Sequence, residues 1–158
     1  TAETRSKPRA ANHRTEGKVV RLTRGADYGA RGIVRLAKMS GGAVALVSEI
    51  AAAEGLPESY LAKIFQDLAK EGIVRSHRGA KGGFSLARPA DQITLKQVIE
   101  AIEGPISLNR CLAPCEGCDR VDTCAIYPVL SKAQEDLLAT LDATTIYQLA
   151  LNDGIISA

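Results

Sequence analysis

Four cysteines, Cys111, Cys115, Cys118 and Cys124, fall within the fourteen residues CLAPCEGCDRVDTC, and the rest of the chain has none. A disulfide scaffold spreads its cysteines to close useful loops, so thiols gathered this tightly point to a metal or redox site. Thiolates select iron–sulfur clusters or zinc over hard cations. Structural zinc usually asks for two ligand pairs separated by a longer span, whereas this segment offers one C-x-x-C, Cys115 to Cys118, with short remaining gaps. Clusters accept irregular cysteine spacing. A dithiol switch at Cys115 and Cys118 is the third chemistry, without the βαβ setting of a thioredoxin-type site. The residues favour a cluster and leave zinc and thiol–disulfide exchange open.

Catalytic readings find little support. The only histidines are His13 and His77, far from the thiols in sequence, so no Cys–His pair is apparent. The glycines at 79, 82 and 83 do not join a strand to a helix as a phosphate loop does. Tyr127 and Tyr147 read as packing residues. The expectation is a protein that is not an enzyme and has no small-molecule substrate.

Charge suggests a partner. The net charge of +2 hides a gradient: residues 1–24 hold seven basic groups against two acidic ones, residues 58–88 six against three, and residues 89–158 four against ten. A basic front and an acidic back suit a polyanion bound on one side. With 46% apolar and 24% charged residues the chain can bury a core, and 158 residues make about one domain. No apolar run approaches a membrane span, and the start is polar and basic, unlike a secretory signal. A cytoplasmic protein without a membrane partner is expected.

The elements that must position these groups follow from periodicity. Residues 1–18 lack a hydrophobic period and read as a disordered basic leader. Thr23 is an N-cap candidate for a helix carrying Ala26, Gly29, Ala30, Ile33 and Ala37, ended by Gly41-Gly42. A strand-like stretch from Ala43 to Leu46 leads into a second helix ending at Gly55. Pro57 suits the first position of a third helix, where Leu61, Ile64, Phe65 and Leu68 form an apolar stripe and Ser59, Lys63, Gln66 and Lys70 fall opposite. Two helices joined by a short turn, the second with a polar and basic outer face, have the layout of a helix-turn-helix. Strands over Ile73–Arg78 and Phe84–Arg88, joined through Gly79-Ala80-Lys81-Gly82-Gly83, make a basic hairpin, or wing. Thr94 with Gln97 caps a fourth helix with core face Leu95, Val98, Ile99 and Ile102, stopped at Gly104-Pro105. The cysteine segment is a loop. Pro128 opens a long helix with Val129, Leu130, Ala133, Leu137, Leu138 and Leu141 on one broad apolar stripe, and Thr145 with Gln148 caps a last short helix. That stripe exceeds what one small domain covers, which predicts a two-fold homodimer.

Arg21-Leu22-Thr23, Pro57-Glu58-Ser59-Tyr60-Leu61, Arg78-Gly79-Ala80-Lys81-Gly82-Gly83-Phe84 and the cysteine loop together resemble the bacterial winged-helix iron–sulfur transcriptional regulators of the IscR/NsrR type, the Rrf family. The resemblance covers about residues 20–150. It implies a mainly α fold: a winged helix-turn-helix DNA-binding domain with a small β-hairpin wing, plus a long C-terminal dimerisation helix. It implies Cys111, Cys118 and Cys124 as ligands of a cluster, most simply 2Fe–2S, and a homodimer on a palindromic double-stranded DNA operator, responding to iron, redox or nitric oxide status. The resemblance maps operator contacts to Ser59, Tyr60, Lys63 and Arg78, and the polar face of the third helix and the wing add Pro57, Gln66, Lys81 and Gly82 as candidates. Two positions depart from the IscR pattern. A ligating His is replaced by Tyr127, and a recognition-helix Glu by Ala62, which bears on any two-class operator switch. The fourth ligand is then either Cys115 or Asp27, the latter at the first-helix position from which NsrR-like members reach the partner protomer's cluster. Asp27 is preferred here, against the plainer reading of an acid favoured by the helix dipole. The expected organisation is the leader over 1–18, the winged domain over 19–104, the cysteine loop over 105–127, and the dimerisation helix with the final short helix over 128–158.

Overall fold

Thr23 opens the first helix as its side chain predicts: its hydroxyl accepts from the Ala26 amide at 3.3 Å, satisfying one of the orphan N–H groups of a helix start. The computed structural model describes residues 22–39, 43–114 and 117–152. The leader, Arg21, Gly41-Gly42 and Cys115 lie outside the described residues. Among the described residues six α-helices and one hairpin follow in order: α1 (Arg24–Lys38), α2 (Val47–Glu54), α3 (Glu58–Lys70), β1 (Val74–His77), β2 (Gly83–Leu86), α4 (Leu95–Glu103), α5 (Tyr127–Ala143) and α6 (Ile146–Asn152). This is a mainly α winged helix-turn-helix.

Several boundaries move from expectation. Pro57 precedes α3 as its N-cap, with φ −65° and ψ 117°, because an extended ψ turns the chain out of Gly55, itself left-handed at φ 64°. The strands are shorter than Ile73–Arg78 and Phe84–Arg88, pairing Val74 with Leu86 through His77 with Gly83. Arg78 leaves the ladder because the turn closes there, with the Gly82 amide donating to the Gly79 carbonyl at 2.9 Å. Arg88 turns away to donate to Gln97 Oε1 at 3.5 Å. The stretch from Ala43 to Leu46 contributes one bridge, Ala45 to Phe84. That bridge needs Gly83: its φ of 153° lies at the edge of the region L side chains avoid, and a β-carbon there would stand 2.3 Å from the Ala45 carbonyl oxygen. Pro128 occupies the second position of α5, after Tyr127.

The core gathers where the stripes meet. Leu61, Phe65 and Leu68 of α3, Ile33 of α1, Ile50 of α2, and Val98 and Ile99 of α4 are fully buried. Phe65 packs edge-to-face on Phe84 of the hairpin, with centroids 5.2 Å apart, which ties the wing to α3. The expected capping box of α4 forms, Thr94 with Gln97, and that of α6 forms between Thr145 and Gln148. Between them the chain closes a long circuit. The Leu95 amide donates to the Thr144 carbonyl and the Ile146 amide to the Ile93 carbonyl, both at 2.9 Å, so Ile146 is buried in the winged-domain core. By contrast α5 buries no residue, and Ile126 and Val129 at its start remain 63% and 69% exposed. Among the described residues no helix is long and apolar enough to cross a membrane.

Candidate nucleic-acid interface and metal centre

The polar face of α3 is built by its apolar one. With Leu61, Ile64, Phe65 and Leu68 buried, the 3.6-residue period leaves Ser59, Tyr60, Lys63 and Gln66 on the exposed side. Pro57 is exposed at the helix entrance. Lys70, on the same face, is drawn to Asp67 at 2.7 Å. That bond, with a smaller pull from Lys63, holds the Asp67 carboxyl below its ordinary value, so Lys70 is partly neutralised. Arg75, Arg78 and Lys81 of the wing are exposed. His77 Nε2 lies 2.8 Å from Ser85 Oγ, bracing the two strands. Gly82 has a structural reason to be small: a β-carbon there would come within 2.6 Å of the His77 carbonyl oxygen. An exposed helix face and a basic hairpin on one rigid core have the form that enters a groove and grips a backbone.

Cys111, Cys118 and Cys124 line one open cleft of about 710 Å³ together with Val121, Ile126 and Tyr127. All three are free thiols; Cys111 and Cys124 are half-buried and Cys118 is exposed. Two short 3-10 turns, Arg110–Leu112 and Val121–Thr123, shape what sequence alone reads as irregular loop. The Leu108 amide donates to Gln134 Oε1 at 3.0 Å, tying the loop to α5. The cleft lies at the N-terminal end of α5, where the helix dipole favours negative charge. Among the described residues no three His, Cys, Asp or Glu side chains stand ready as a metal set. The donor chemistry nonetheless fits an iron–sulfur cluster: three thiols border one cleft of sufficient size.

Asp27 does not border that cleft in its own chain. It is exposed in the first turn of α1, 3.8 Å from Arg31 Nη1, and Arg31 in turn donates to the Glu54 carbonyl at 2.7 Å. Its carboxylate is open to solvent with one loose ion pair. Arg31 and Glu54, and also Tyr28, which meets Tyr60 across α1 and α3, belong to no motif, and the sequence marks only the i, i+4 spacing of Asp27 and Arg31.

Comparison with known proteins agrees with this architecture. Residues 22–152 match the Rrf2 family model, described as an iron-dependent transcriptional regulator. The HTH-type transcriptional regulator Rv1287 of Mycobacterium tuberculosis is 33% identical over 135 residues, covering 83% of this chain and 81% of that protein. Among solved structures, CymR (YrzC), the global cysteine regulator of B. subtilis, is 30% identical with a TM-score of 0.65, covering 84% of this chain and 97% of that one. IscR of T. potens shares the fold at a TM-score of 0.70 and 24% identity, over 88% of this chain and 92% of that one.

Proposed function

Because the chain belongs to the Rrf2 family of transcriptional regulators, we propose that it reads a palindromic DNA operator as a two-fold homodimer and adjusts its grip through an iron–sulfur cluster, 2Fe–2S, held by Cys111, Cys118 and Cys124. Membership makes it a regulator and not an enzyme. The observation that carries the sensing half is the single cleft shared by the three thiols at the start of α5. A bound cluster would supply iron whose redox state and integrity answer to oxidants and iron supply.

The chain's own residues do the rest. The three cysteines, as thiolates, hold the group, and either Cys115 or the partner's Asp27 completes four ligands; a carboxylate is the harder and weaker donor for iron, so that arrangement is the more labile. Val121, Ile126 and Tyr127 wall the cleft. The helix beginning there carries the apolar stripe expected to pair two protomers, so the loop and the subunit contact share one element. Ser59, Tyr60, Lys63 and Gln66 meet the major groove, while Arg78 and Lys81 meet the backbone or minor groove.

A second reading, a thiol–disulfide switch without a cluster, draws support from the likeness to the CymR of Staphylococcus aureus, solved in an oxidized form and 28% identical at a TM-score of 0.65, and from the free thiols at the cleft. A zinc-stabilised site is the third. The visible spectrum of anaerobically purified protein separates them. Broad visible absorbance with acid-labile sulfide is expected. A colourless protein with stoichiometric zinc, or a metal-free one whose thiols close on oxidation, would replace the cluster by the corresponding alternative.

A further inference from the structure

Tyr60 stands at the third position of α3 but rests on α1. Its ring centroid lies 5.8 Å from that of Tyr28 with the planes at 76°, the edge-to-face geometry that aromatic quadrupoles prefer. Its hydroxyl lies over Gly25, where a β-carbon would stand 3.2 Å from the oxygen. Tyr60 is nevertheless 41% exposed, beside exposed Ser59 and Lys63. A tyrosine that only filled the core would be buried; this one is held at its ring, with its hydroxyl passing close over Gly25, while keeping an open side on the polar face of α3.

We infer that Tyr28 and Gly25 are positioning residues that seat Tyr60 for reading DNA. This rests on the DNA-reading role proposed for α3. Neither residue has to touch DNA. Discrimination between operators is a difference of affinities, and a side chain held in its bound rotamer loses less freedom on binding than one that must be ordered. Gly25 lets α1 pass close to the tyrosine hydroxyl: a β-carbon there would push the hydroxyl by a few tenths of an ångström, with Ile102 Cγ2 and Thr23 Oγ1 each 3.4 Å from that β-carbon.

The test uses full-length protein and two duplexes: one selected from a random library by the wild type, and one of mixed sequence and equal length. Gly25→Ala favours the helix and removes no contact group, but crowds the Tyr60 hydroxyl; Tyr28→Ala removes the ring support, and Tyr28→Phe keeps it. Gly25→Ala and Tyr28→Ala are expected to weaken binding to the selected duplex about tenfold, within the range of one mismatched base pair, with mixed-sequence binding unchanged and Tyr28→Phe close to wild type. Thermal melting checks the fold, and Gly25→Ala carries the test if Tyr28→Ala unfolds. Wild-type affinity of Gly25→Ala and Tyr28→Ala for the selected duplex, while Tyr60→Ala loses it, overturns the seat but leaves α3 as the reader. Equal losses on both duplexes overturn the seat as well. No effect of Tyr60→Ala overturns the reading of α3 itself.

Discussion

The start of α5 offers the sharpest test of assembly. Val129 keeps 69% of its surface exposed, although it belongs to the apolar stripe of a helix that buries nothing in its own chain. Complete burial of a valine gains roughly 1.5 kcal/mol, of which about 1 kcal/mol is still to be gained here. A two-fold interface counts it twice, about 2 kcal/mol, which is roughly thirtyfold in dissociation constant. Val129→Glu removes that gain and places two like carboxylates in the contact, where desolvation adds further cost, so the dimer should weaken by about two orders of magnitude. Leu137 is a poorer target because it also borders a groove with Leu22, Ile99 and Leu108 of its own chain, so altering it disturbs the fold. Sedimentation velocity across a micromolar range should show a wild-type dimer and a Val129→Glu monomer with an unchanged far-UV spectrum. A wild-type monomer that still binds its operator tightly, or a Val129→Glu protein that stays dimeric below micromolar concentration, would refute the assignment of α5 to the subunit contact.

Two further outcomes are expected. Arg78→Ala should weaken operator binding by roughly 1–3 kcal/mol if the arginine reads a base, and if it grips a phosphate it should lower specific and non-specific binding alike and reduce the salt slope; unchanged binding to both would remove the wing from the interface. Asp27→Ala should alter the visible spectrum or speed cluster loss after anaerobic reconstitution while Cys115→Ala does not, and the reverse pattern would assign the fourth position to Cys115.

Helix starts and buried stripes are legible in the sequence for physical reasons. Thr23, the capping boxes at Thr94–Gln97 and Thr145–Gln148, and the α3 stripe from Leu61 to Leu68 depend on residues within one or two turns, where amide bonding and helical period leave few options. The clustering of four cysteines in fourteen residues is equally local, and it points to a thiol site without choosing between cluster, zinc and disulfide. Boundaries were less so: Pro57 fell outside α3 and the strands lost residues at their outer ends, because the turn at Gly79–Gly82 and the reach of Arg88 to Gln97 decide where pairing stops.

Tertiary structure alone decided what joins distant parts of the chain. The return of α6, which buries Ile146 between α1 and the segment at Ile93, depends on chain closure across some fifty residues, and no local pattern encodes such a meeting. The shared cleft of Cys111, Cys118 and Cys124 required two 3-10 turns within a segment without periodicity. The seat of Tyr60 on Tyr28 and Gly25 arises because α1 and α3 pack closely enough for their rings to touch. Composition and spacing specify which groups a chain possesses and how each turn begins and ends; which of those groups become neighbours is set by the packing of buried faces, a property of the whole core.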